Sequence, residues 1–315
     1  MPAVREEKSV MKETQYGCDV WTIVSSDGST KASFVPEKGG IGSSLVMPAP
    51  GGPRELLFQH DFFWDRQTAK IPGGWPFLFP VCARLERDGQ QGQYLYDGKR
   101  YSLPSHGFGP RMPWSANAEG SDTLVLQLTD NDETHSVYPF RFRVALRYRV
   151  ADGALVCEQT YTNRGHIPMP YYAGFHPYFR TPGPGAGKEN VLLDFKPIRA
   201  FKYNERLTDL AGEVAVPRLP VPIAEPGINE RLTKVGQDKE ARLVLPDGLN
   251  IHIAAEGVED PDLFPYIQLY TIPDKPFFCV EPWMAFPNAL NTVVGVRWLA
   301  PGASERGLLK VWTTW

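Results

Sequence analysis

The chain has 315 residues, 42% hydrophobic and 22% charged, and its 33 basic and 36 acidic side chains leave a net charge of −3. Such a balance excludes the electrostatic footprint of a nucleic-acid binder, and the mixed signs from Arg5 to Lys8 read as a solvated start. No apolar run is long enough to cross a bilayer and Met1 to Thr14 lack the apolar core of a secretory signal, so a cytoplasmic protein with no membrane partner is expected.

Length would allow two domains, but 29 glycines and 30 prolines are scattered along the chain without a compositional break. That pattern implies many short strands joined by turns. We expect one all-β domain over 1–315, antiparallel sheets packed face to face, with 1–15 loosely ordered.

Period-two alternation dominates in chain order. Strands are predicted over Trp21–Val24, Lys31–Val35, Leu124–Leu128 and Leu155–Thr162, then Ala241–Leu245, Tyr266–Ile272, Phe277–Val280 and Leu308–Thr313. Phe142, Val144, Leu146, Tyr148 and Val150 alternate with Arg143, Ala145, Arg147 and Arg149, giving one apolar and one mostly basic face. Leu249, Ile251, Ile253 and Ala255 repeat the pattern. Asp97-Gly98, Asp152-Gly153 and Asp247-Gly248 read as hairpin turns. Glu55–Arg66 has weak helical spacing and serves equally as a turn-rich connection. Thr181 to Lys188 reads as a surface loop and Pro217 to Pro226 as an extended connection.

Cys18, Cys82, Cys157 and Cys279 lie far apart with no CxxC pair, so buried reduced thiols are expected rather than a metal or redox centre.

Three islands carry acid–base residues among rings and turn formers. Glu281 ends the run FFCV and precedes Pro282 and Trp283, and the proline is expected to take the chain out of the ladder. His176 sits in GFHPYF at a bend, and His106 lies in a loop before Gly107-Phe108-Gly109-Pro110. Arg84 follows the aromatic stretch GGWPFLFP, and its guanidinium could donate to sugar hydroxyls or pair with Glu86. Each island alone admits a bland reading: a surface ion pair for Glu281, a satisfied core imidazole for His176. His60, His135, His166 and His252 lack the setting and are assigned surface or structural roles. Trp75, Phe77, Phe79, Trp114, Tyr178, Phe179 and Trp283 are candidates for an apolar sugar platform.

From about Phe34 onward the chain resembles the aldose 1-epimerase (galactose mutarotase) family. The signposts run in order through Phe79-Pro80 with Arg84, Tyr94, and Tyr101 to Phe108 around His106. Tyr138-Pro139-Phe140, Asn163, Gly174 to Phe179, Leu193-Asp194-Phe195, Gln268 to Thr271, Glu281-Pro282-Trp283 and Pro301-Gly302 complete the series. The resemblance implies a β-supersandwich of large twisted antiparallel sheets, an open sugar cleft and no cofactor. It implies Glu281 as general base and His176 as general acid, with His106, Arg84 and Gln268 binding the sugar. Galactose-type mutarotases also carry an aspartate upstream of the glutamine; by chain order that place falls near Asn229, with no carboxylate read there, and Asp238 is a less favoured substitute. Asn229 is therefore expected to contact a hydroxyl.

The expected activity is interconversion of the α and β anomers of free aldohexoses, in a monomer or homodimer. Two alternatives are a hexose-6-phosphate 1-epimerase using Arg84, Arg87 and Arg111 for the phosphate, and a non-catalytic carbohydrate-binding protein.

Overall fold

Alternation in the sequence becomes burial in space. The computed structural model describes residues 10–65, 68, 70–151, 153–182 and 187–315. In the strand Phe142–Ala151 every second residue from Phe142 to Val150 is buried, while the arginines between face outward, because successive strand side chains point to opposite sides. This strand and Ala154–Asn163 pair over ten positions at the centre of a nine-stranded sheet. Ser304–Thr314 and Asn250–Gly257 continue it.

A second sheet of eight strands runs from Leu210–Val214 through Pro197–Tyr203, Arg231–Val235, Tyr266–Tyr270 and Phe277–Trp283 to Gly174–Phe175 and Phe77–Leu78, with Tyr178–Arg180 also paired to Phe277–Trp283. A five-stranded sheet spans Met11–Gln15 to Arg54–Glu55, so residues 11–15 form an edge strand on Cys18–Val24 instead of a loose end. The large sheets share an aromatic core: Phe77 contacts Phe175 at 5.2 Å and stacks on Tyr161 at 6.2 Å. Phe34 against Tyr148, at 4.2 Å, ties in the five-stranded sheet.

The fold is all-β, with only two short α-helices among the described residues, Asp132–Val137 and Ala289–Thr292. Neither is long or apolar enough to cross a membrane. In the Glu55–Arg66 stretch, residues 61–64 form a turn and no helix, and Arg66 lies outside the described residues. Asp97 and Gly98 both have positive φ (47° and 71°), as a two-residue hairpin turn requires. Asp152 lies outside the described residues, although Ala151 pairs with Ala154 across it. Residues 183–186 of the Thr181–Lys188 loop are likewise outside. The Pro217 to Pro226 connection contributes a two-residue strand, Val221–Pro222, to the edge of the larger sheet.

Pro282 corrects one expectation. It does not end its strand, which runs on to Trp283 with Pro282 paired to Ile267. Met284 donates its backbone N–H to Ala173 O (3.0 Å), and residues two apart point the same way. The missing N–H of Pro282 therefore faces the stretch 175–177, where no ladder pair forms.

Candidate active site

That interrupted ladder sets the chemistry. Gly174 pairs with Trp283 and Tyr178 with Cys279, so continuity of register puts His176 directly opposite Glu281. On the other side of the same strand Glu281 pairs with Gln268. His176, Glu281 and Gln268 thus stand in a row across three neighbouring strand segments on one face of the sheet. The residues between them, Val280 and Leu269, point into the core. All three line an open cavity of about 640 Å³.

Glu281 is 1% exposed and His176 5%. Their closest atoms, Oε1 and Nδ1, are 3.4 Å apart: near enough for charge to be felt, too poorly aligned for a hydrogen bond. Burial holds the Glu281 carboxyl well above the ordinary carboxylate range, and the nearby Glu230 charge adds to this. The Trp283 indole N–H leans the other way, but its geometry falls short of a hydrogen bond. Burial likewise drives the His176 imidazole well below its usual range, with His106 contributing. Tyr178 stacks flat on the His176 ring at 4.6 Å and holds its plane.

His106 reaches the cavity from a strained loop. Its φ is 64°, left-handed for a residue with a side chain, and Gly107 follows at 69°. A Cβ at Gly107 would lie 2.2 Å from Phe79 O, so only glycine lets this loop rest on the Phe79-Pro80 backbone. Ala83 N donates to His106 Nδ1 at 3.1 Å, which leaves the ring proton on Nε2. Burial and the Arg111 and Arg84 charges bring the His106 pKa down to about 3. His106 is therefore a fixed neutral donor.

Arg84 lines the cavity and donates to Arg206 O at 3.0 Å; Arg206, not Arg84, pairs with Glu86. Gln268 is locked by Tyr203, whose hydroxyl donates to its Oε1 at 2.8 Å, and by its own donation to Leu269 O at 3.0 Å.

Asn229 is the residue the structure moves out of the site. Its Oδ1 accepts the Thr271 backbone N–H at 2.9 Å, pinning the short turn Pro226–Ile228 to the sheet. It does not line the cavity; the next residue does. Glu230, at φ 47°, turns its carboxylate into the cavity. Burial raises the Glu230 pKa, and the Arg84 charge pulls against that rise. The carboxylate nearest the expected place is therefore Glu230, and the adjacent acid in Asn229-Glu230 was the available signal. Asp238 pairs with Lys196 at 2.8 Å and is not part of the cavity.

Other assignments change too. His60, read as structural, lines the cavity with Tyr203, Tyr270 and Phe62. Of the platform candidates only Tyr178 and Trp283 reach it; Trp75, Phe77, Phe79, Trp114 and Phe179 are core. The four cysteines are free and buried. One donor set among the described residues could hold a metal: His176, Cys279 and Glu281, whose ligand atoms lie within 4.8 Å of one another. Burial and the Glu281 charge raise the Cys279 thiol well above its ordinary value, so it stays protonated.

Comparison with solved structures places this architecture among galactose mutarotase-like sandwiches. The Slr1438 protein of Synechocystis sp. PCC 6803 superimposes with a TM-score of 0.79 at 25% identity, over 96% of this chain and 99% of that one. A galactose mutarotase-like protein of Lactobacillus casei gives 0.76 at 22% identity, over 94% and 100%. In sequence, the chain is 28% identical over 195 residues to the "Putative glucose-6-phosphate 1-epimerase" of Escherichia coli K12, covering 55% of this chain and 58% of that protein's length. The family profile described as Aldose 1-epimerase matches residues 26–254. The chain belongs to the aldose 1-epimerase family, a family of isomerases.

Proposed function

We propose that the protein interconverts the α and β anomers of an aldohexose by acid–base ring opening and closure. Glu281 is the base and His176 the acid. The placement of these two groups side by side, opposite one another in register on the cavity wall, carries the reading.

Burial opposes net charge on either group, so the pair binds a single proton between them. With that proton on His176, Glu281 takes the proton of the anomeric hydroxyl while His176 protonates the ring oxygen and the C1–O5 bond breaks. The aldehyde forms without net gain or loss of protons in the site. Rotation about C1–C2 presents its other face, and the reverse transfers close the ring. Positioned acid–base groups contribute roughly 10²- to 10⁴-fold in rate. His106 Nε2–H, Arg84, Gln268 and Glu230 supply donors and acceptors for the remaining hydroxyls, while Trp283 and Tyr178 offer ring faces to the sugar's C–H surface.

A free hexose and its 6-phosphate share this chemistry and differ only in what C6 carries. The test is NMR exchange spectroscopy on equilibrated glucose, galactose and glucose 6-phosphate. We expect anomer exchange well above buffer for at least one of them, lost in Glu281→Gln. A binder without catalysis would show sugar-induced shifts and the buffer exchange rate.

A further inference from the structure

We propose that the end of the cavity beyond His176 is a phosphate site, where Lys275 and Lys70 beside His60 hold a phosphoryl group on C6 of the aldose. The inference rests on the acid–base assignment of Glu281 and His176, because those two roles fix which way the sugar lies. In a pyranose the ring oxygen joins C1 to C5, and C6 branches from C5. With the anomeric hydroxyl at Glu281 and the ring oxygen at His176, C2 to C4 lie toward Gln268 and Glu230. C6 then leaves the ring past His176.

The wall in that direction continues through Tyr178, stacked on His176 at 4.6 Å, to His60, whose ring meets Tyr178 at 5.9 Å. Lys70 and Lys275 line the cavity at this end. Both positive charges act on His60 and, with its burial, lower its affinity for a proton; Asp61 is the opposing charge. Neither lysine forms an ion pair with another described residue. Lys275 sits on the tight connection between Tyr266–Tyr270 and Phe277–Trp283, with its N–H bonded to Ile272 O at 3.0 Å, so it is tied to the strand that bears Glu281. A phosphate is the group that suits two ammonium charges with no ion-pair partner among the described residues and an imidazole donor.

The arginines expected from sequence to take the phosphate are otherwise engaged. Arg87 lies beside Asp88 at 3.7 Å and does not line the cavity. Arg111 donates to Ser105 O and Gly107 O, at 3.1 and 2.7 Å, and so braces the His106 loop. Arg84 stands at the Glu230 end.

The test compares kcat/KM for glucose 6-phosphate and glucose by NMR exchange, in wild type and in Lys275→Ala, Lys275→Glu and Lys275→Arg. We expect wild type to prefer the phosphate, and Lys275→Ala to lower the ratio of the two kcat/KM values by about tenfold to a hundredfold, the scale of a lost charge-assisted hydrogen bond. Lys275→Glu should lower it further and Lys275→Arg should restore most of it. Inorganic phosphate should compete with glucose in wild type and less so in Lys275→Glu. A ratio unchanged in a folded Lys275→Glu, or a wild-type preference for glucose, overturns the phosphate site and leaves the acid–base reading standing. Exchange of neither sugar overturns both.

Discussion

The two large sheets are built from the same alternating pattern and put it to opposite uses. In the nine-stranded sheet the ladder Phe142–Ala151 to Ala154–Asn163 runs unbroken over ten pairs, and its inward face is mostly apolar, with Gln159 and Asn163 buried among the rings. In the eight-stranded sheet the ladder between 174–178 and 279–283 is interrupted at the point where a histidine and a glutamate face each other. There, His176 Nδ1, Glu281 Oε2 and Trp283 Nε1 are buried without a hydrogen-bond partner. Around them Ala83, His106, Leu207 and Glu230, all cavity-lining, hold left-handed backbone. Unsatisfied polar atoms and strained residues normally weaken a fold. Unpartnered buried atoms occur in the nine-stranded sheet as well, at Tyr148, Gln159 and Tyr161; what sets the cavity apart is that its own belong in part to a facing carboxyl and imidazole and are ringed by left-handed residues.

The sharpest way to break this contrast is Glu281→Gln. We expect anomer exchange to fall by roughly 10²- to 10⁴-fold, while the variant melts higher than wild type at neutral pH. The sign follows from the raised carboxyl: the folded chain retains a proton that the unfolded chain releases above about 4.5. The stability from that proton is complete below 4.5 and is lost as pH climbs toward the folded value, so the melting gap should widen with pH. Equal melting at every pH would mean that Glu281 carries no ionisation penalty.

In the other sheet, Leu146→Ala should cost about 2–5 kcal/mol in chemical denaturation, with exchange per folded molecule unchanged. Gly107→Ala comes next. Forcing a Cβ against Phe79 O at a positive φ should remove on the order of 1–3 kcal/mol, and exchange should also drop as His106 leaves the Ala83 N–H.

The pH profile sharpens the account of the shared proton. His176 is depressed and Glu281 raised, so the pair takes its second proton below the free imidazole's range and gives up the shared one above the free carboxylate's range. A rate plateau between those two titrations is expected, and a midpoint at the free imidazole's 6.5 would contradict it. The smallest effect is Leu207→Gly. Relief of its left-handed φ of 54° should offset most of the lost side chain, leaving stability within about 1 kcal/mol of wild type.

Strands were legible because period two is a local signal, and Phe142–Ala151 could be read residue by residue. The islands around His106, His176 and Glu281 were legible as well, as rings and turn formers gathered about acid–base groups. Their register was not. That His176 faces Glu281 depends on a pairing between distant segments, which no local pattern encodes. Pro282 misled because the rule that proline leaves a ladder assumes a partner strand on that side, and here it faces an existing gap. Glu230 was missed by one position: the turn pinned by Asn229 rotates the next residue inward, and only a left-handed φ makes that possible. His60 has no flanking motif at all; it enters the cavity through packing on Phe62, Tyr178 and Phe277.

One feature of the cavity bears on how such a protein diversifies. Glu281, His176 and Gln268 are carried by the sheet, whereas His106, Glu230, Arg84 and Lys275 arrive on separate connections. Loops can be exchanged or lengthened without shifting the strands beneath them. On the acid–base reading proposed above, drift in those connections can retune which sugars fit while the couple on the sheet is inherited intact, a division of labour that lets one scaffold serve a succession of carbohydrates.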